Sequence, residues 1–95
     1  MSEQKTIIFE NDKMRVERIH NVWHSSPNDF WYDQDEDEWV TLLEGQAELE
    51  YTNGRRITLM RGDCLLIPAH CRHRVVYTDS HCIWLVVFVK KSTYK

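Results

Sequence analysis

Acidic residues crowd the segment Phe30-Trp-Tyr-Asp-Gln-Asp-Glu-Asp-Glu38, and His70 and His73 follow a Gly62-Asp63 turn further along. Carboxylates and imidazoles are the side chains of proton transfer and of divalent-metal coordination. Glu38 heads an apolar stretch that closes at Gly45, and His73 follows the apolar run Cys64-Leu-Leu-Ile67 and Pro68. Three arrangements imitate known sites and fail on physical grounds. Asp33, Asp35, Asp37 and Glu44 have the spacing of a calcium loop, but Glu38 sits where such a loop needs glycine, and the flanks read as strands. His20 and His24 have helical spacing, yet Met14 to Val22 alternates as a strand does. His70-Cys71-Arg72-His73 resembles a zinc cluster, but neighbours on one strand face opposite ways, so only His73 is expected to face inward. No Ser-His-Asp or Cys-His nucleophile and no Gly-rich phosphate loop can be assembled.

The two stretches together resemble the paired sequence motifs of the cupin superfamily. Glu38 and Gly45 fit the E-x6-G end of the first motif, and Gly62, Pro68 and His73 fit the second without a gap. The resemblance covers roughly residues 30 to 78 and implies an all-β cupin jelly-roll (double-stranded β-helix) barrel. In that family two first-motif histidines, the glutamate and the second-motif histidine hold one divalent metal. Here the histidine positions carry Tyr32 and Gln34 with a three-residue spacer, or Trp31 and Asp33 with a four-residue spacer. His70 replaces the second motif's glycine, and Tyr77 its asparagine. What survives of the ligand set is Glu38 and His73. Asp33 is the candidate third ligand, with Gln34 or His70 orienting it or completing the shell, for Mn, Fe, Zn or Ni. Tyr32 is the acid/base candidate, and Trp31 could stack on a planar or sugar-like ligand. In the other reading, Glu38 and His73 are a buried hydrogen-bonded pair in a metal-free pocket. The implied function is small-molecule binding, either as a metal-dependent enzyme on a small organic or sugar-derived molecule or as a binding module without catalysis.

Positioning these residues requires strands. The apolar period is mostly two, and turn signals recur at Asn11-Asp12, Gly45, Asn53-Gly54, Arg61-Gly62-Asp63 and Asp79-Ser80. Strands are expected near 5–9, 13–22, 38–44, 46–51, 55–60, 64–67, 73–78 and 81–90, with Ser25–Asp29 as a loop. At Asn53-Gly54 a two-residue turn would set Glu50 against Ile57. A three-residue loop with Gly54 left-handed pairs Tyr51 with Arg55, Leu49 with Ile57 and Ala47 with Leu59, and makes one face apolar. His81 to Val89 is apolar on both faces, so its outward row needs a cover: the N-terminal strand of the same chain, or a second subunit. Small cupins are commonly homodimers, and the resemblance favours a partner. If Glu38 faces inward, Trp39 faces out and becomes a contact candidate.

The whole chain, 1–95, reads as a single cupin domain. With 42% hydrophobic residues it can bury a core. No apolar run is long enough to span a membrane, no basic and apolar leader opens the chain, and a cytoplasmic location is expected. Cys64, Cys71 and Cys82 form no C-x-x-C pair and are expected as free thiols. The net charge of −3 with scattered basic pairs argues against a nucleic-acid surface.

Overall fold

The computed structural model describes residues 2–90; Met1 and residues 91–95, which the single-domain reading also spans, lie outside the described residues. Strand-forming alternation gives eight strands: β1 (Ser2–Glu10), β2 (Met14–Val22), β3 (Asp37–Glu44), β4 (Gln46–Tyr51), β5 (Arg56–Met60), β6 (Cys64–Ile67), β7 (His73–Thr78) and β8 (Cys82–Val89). They lie on the expected segments, with β1 starting earlier than its apolar core. They form a five-stranded antiparallel sheet in the order β1-β2-β8-β3-β6 and a three-stranded sheet in the order β5-β4-β7. This is the two-sheet jelly-roll plan.

The β4–β5 hairpin adopts the three-residue register. Leu49 pairs with Ile57 and Ala47 with Leu59, the Tyr51 N–H donates to the Arg55 carbonyl at 2.9 Å, and Gly54 takes φ 88°. The apolar rows decide this, because a one-residue slip would send Leu49 and Leu59 to solvent.

Ser25–Asp29 is a loop, as expected, and the stretch around it is hydrogen-bonded to the sheet. From Trp23 to Gln34 the backbone runs along the free edge of β7. Ser26 N–H donates to the Val75 carbonyl at 2.9 Å, Thr78 N–H to the His24 carbonyl at 2.8 Å, and Tyr32 and His73 exchange two bonds at 2.7 and 3.2 Å. The segment therefore satisfies an edge that would otherwise expose unpaired backbone groups.

β8 lies between β2 and β3 and organises the core. Its inward row, Cys82, Trp84, Val86 and Phe88, is buried with Val40, Leu42, Leu49 and Ile67. Among the described residues no strand lies over its outward row, because β1 pairs edge-to-edge with β2. In register across the outer face stand Phe9, Val16, Val87, Trp39 and Leu66. Phe9, Trp39 and Leu66 are exposed, Trp39 at 48%.

Gly45 joins β3 to β4 at φ 92°, and a Cβ there would collide with the His81 carbonyl oxygen and lie 2.7 Å from Cys82 Sγ. Gly54 has a similar φ but open space around it. Gly45→Ala should therefore cost about 3 kcal/mol or more, against about 1 kcal/mol for Gly54→Ala. Urea unfolding of the two variants checks this, and equal losses would contradict the close-approach account.

Candidate functional site

A cavity of about 80 Å³ lies between the sheets. That is several times the roughly 10–15 Å³ a single water needs, so it accommodates a small organic group. Its floor is apolar, with Val40, Leu49, Val86 and Phe88, and its walls carry ionisable and amide groups.

Glu38 and His73 stand side by side in it, as their strands' inward rows require. Glu38 faces in from β3 opposite Phe88 and Ile67, and His73 opens β7; both are buried. Their nearest atoms, Glu38 Oε1 and His73 Nε2, are 3.7 Å apart. His73 Nδ1 lies 2.9 Å from the Cys71 carbonyl. A carbonyl only accepts, so Nδ1 carries the proton and Nε2 presents its lone pair to Glu38 in the neutral ring. At 3.7 Å the two groups are in contact but beyond hydrogen-bond distance, so the hydrogen-bonded pair of the metal-free reading is not formed. Burial pushes the Glu38 carboxyl above its ordinary range, against the opposing effects of the Gln34 hydrogen bond and His73. Gln34 Nε2 donates to Glu38 Oε1 at 2.9 Å. Tyr32 stacks on the His73 ring, centroids 5.3 Å apart and planes at 26°. Burial raises the Tyr32 phenol's pKa, with further contributions from Glu3 and Glu38, which makes it a hydrogen-bond donor.

Of the expected site residues, Tyr32, Gln34, Glu38 and His73 converge on the cavity. The segment is extended there, so alternate side chains point to opposite sides. Tyr32 and Gln34 point in and Asp33 points out, which selects the three-residue spacer for the first motif. Asp33 contacts His70 Nδ1 at 2.8 Å and Arg72 Nε at 3.7 Å on the surface. The expected set of Asp33, Glu38 and His73 is therefore not assembled. Trp31 lies outside the cavity with the Arg74 guanidinium 5.7 Å from its ring centroid. His70 is exposed between Asp33 and Asp35, the latter at 3.2 Å. Its φ of 62° explains the family glycine at that position: the turn requires a left-handed residue.

The residues do not fit a divalent metal well. Glu38 and His73 offer two donors, where catalytic zinc sites usually use three protein ligands. The Gln34 amide directs its N–H at Glu38, as a donor does. Among the described residues no group of three or more His, Cys, Asp or Glu side chains is arranged to hold an ion.

Four cavity residues gave no signal in the sequence: Glu17 and Asn21 on β2, and Glu3 and Lys5 on β1. His24 and Trp84 line the cavity as well. Glu17 is held by Arg15 at 2.6 Å, and the same guanidinium reaches Glu36 at 3.2 Å. His24 Nε2 lies 3.4 Å from Glu3. On β2 the eye follows Val16 and Val22, whereas the inward row is Glu17, Ile19 and Asn21. Pairing with Val86, Trp84 and Cys82 of β8 reveals it, and sequence alone carries no such signal. Cys64, Cys71 and Cys82 are free, as expected. Burial, with the Asp79 carboxylate alongside, pushes the Cys82 thiol up to about 11. It stays protonated, donating to the Gln46 carbonyl at 3.2 Å.

A sequence model of the cupin domain matches residues 19–88. The chain belongs to the cupin family. Comparison with curated proteins returns no match. Among solved structures, a Ralstonia eutropha JMP134 protein provisionally named a mannose-6-phosphate isomerase is 36% identical, with a TM-score of 0.90 over 95% of this chain and 86% of its own. A cupin superfamily protein from Desulfitobacterium hafniense DCB-2 superposes at 0.83, with 16% identity and coverage of 95% and 79%. KdgF from Halomonas sp. does so at 0.79, with 16% identity and coverage of 95% and 82%. The last two share the fold alone.

A carboxyl whose folded-state pKa lies above its unfolded value stabilises the fold while protonated, and that contribution is lost as pH rises through the raised value. Glu38→Gln should accordingly match or exceed the unaltered protein in stability at pH 7. The gap should close as pH falls below the ordinary value of 4.5. A gap that is independent of pH in urea titrations would contradict a raised Glu38 pKa.

Proposed function

We propose that this cupin binds a small hydroxylated or sugar-derived molecule in the cavity and that the Glu38–His73 pair moves a proton to or from it. The carrying observation is the pair itself: a buried carboxyl whose burial favours its protonated form and an imidazole lone pair 3.7 Å away in one cavity. Such a pair can accept a proton from a carbon next to a carbonyl and return it elsewhere, the chemistry of sugar isomerisation. The name of the Ralstonia protein, 36% identical, supports this substrate class. In the proposal, Gln34 holds Glu38 in place, Tyr32 holds the His73 ring and donates to substrate oxygen, and the apolar floor excludes water. A metal would have to be held by Glu38 and His73 with ligands from outside this set, and no step is assigned to one.

The reading predicts that short aldoses and ketoses incubated in D₂O incorporate deuterium beside the carbonyl, as followed by NMR. Glu38→Gln and His73→Ala should each slow this by about 10²–10⁴-fold. Binding without exchange would support the alternative of a ligand-binding module without catalysis. Exchange that requires added Mn, Fe, Zn or Ni, and disappears with a chelator, would restore the metal-dependent enzyme.

We also propose that the outer face of the five-stranded sheet joins two copies of the chain. The support is the apolar row Phe9, Val16, Val87, Trp39 and Leu66, which crosses all five strands. Strand spacing makes that row about 19 Å long. Light scattering should give a dimer, and Trp39→Glu, at the row's exposed aromatic, should weaken association by about 30-fold or more. A monomer at tens of micromolar would refute the proposal.

A further inference from the structure

We infer that Asn21 is a specificity-determining residue that donates a hydrogen bond to a neutral oxygen, hydroxyl or carbonyl, of the molecule in the cavity. The inference rests on the functional reading above and adds the chemistry its ligand must present. Asn21 is 2% exposed and lines the cavity. Its Oδ1 accepts from the Trp84 indole N–H at 2.6 Å. Indole nitrogen only donates, so the amide orientation is fixed and the NH₂ group is the free end. Among the described residues no group accepts from Asn21 Nδ2.

A buried amide donor without a partner costs stability, and Trp84 alone could be satisfied by a smaller acceptor. A donor held in one orientation against a cavity is what recognition of an oxygen requires. The neutrality follows from the neighbours. Glu3 is the cross-strand partner of Asn21 and lines the same cavity. Directly opposed side chains lie close together, so a ligand carboxylate at Asn21 would also meet the Glu3 carboxylate. His24 Nε2 lies 3.4 Å from Glu3, and Lys5, which also lines the cavity, stands opposite Ile19 and not opposite Asn21. A hydroxyl or carbonyl oxygen meets the amide without that repulsion. The modest cavity volume of about 80 Å³ further favours a short molecule.

The test pairs neutral probes with acids of the same carbon skeleton: glyceraldehyde with glycerate, and xylose with xylonate. Binding is measured by titration calorimetry on the unaltered protein, on Asn21→Asp and on Glu38→Gln. Asn21→Asp keeps the acceptor for Trp84, removes the amide donor and adds a carboxylate opposite Glu3. It should weaken neutral probes by about tenfold or more, with melting temperature and circular dichroism confirming the fold. Should that variant fail to fold, NMR of the ¹⁵N-labelled unaltered protein decides: the Asn21 side-chain amide protons should move downfield with neutral probes and not with acids. Binding that depends on Glu38 but leaves the Asn21 amide unmoved, or that favours the acids, overturns this inference and leaves the functional reading standing. No cavity binding by any probe overturns both.

Discussion

Alternation along β8 sets the position of everything that could do chemistry in this protein. The strand pairs with β2 on one side and β3 on the other, so the choice of inward row on β8 fixes the inward rows of both. Burying Cys82, Trp84, Val86 and Phe88 commits Glu38 on β3 to the interior opposite Phe88, and Glu17 and Asn21 on β2 opposite Val86 and Cys82. Burial of one large apolar side chain contributes about 1.5–3 kcal/mol. Both rows of β8 are apolar, so the decision comes from the register with β3, whose Val40 and Leu42 join the inward row of β8 in the core. The polar residues are drawn inward by their neighbours, and each must find a partner or a ligand there.

The cavity shows how those groups are accommodated. Glu17 has Arg15, Glu38 has Gln34, and Trp84 has Asn21. Each pairing removes most of the cost of desolvating a charge or a donor. The Glu38–His73 contact differs, because at 3.7 Å no hydrogen bond joins the two groups. In the family pattern a metal ion lies against this glutamate and histidine together with two further histidines. Here the two further positions carry Tyr32, whose ring stacks on His73, and Gln34, which donates an N–H to Glu38. At Gln34 the substitution puts a proton, where the family has a lone pair, toward the glutamate.

The edge segment from Trp23 to Gln34 carries half of this arrangement. Its hydrogen bonds to β7 place Tyr32 against the His73 ring and put Gln34 within reach of Glu38. The same alternation sends Asp33 to the surface, where it meets His70 and Arg72. One extended backbone thus separates the acidic residues of the segment into a solvated set and a buried glutamate.

The sequence by itself determined the strand positions, the hairpin register at Gly54 and the inward placement of Glu38 and His73. Each follows from short-range signals: period-two apolarity, a glycine that permits a left-handed turn, and motif spacing within one or two strands. It could not determine that Tyr32 and Gln34, and not Asp33, point at Glu38, because both spacers fit the motif until β7 pairs with the segment. Nor could it find Glu17 and Asn21. Their strand looks apolar on the opposite face, and only pairing with β8 reverses that reading. Tertiary structure decided those positions because the side a residue faces is set by the strand it bonds to, and that partner lies some sixty residues away in the chain for β2 and β8.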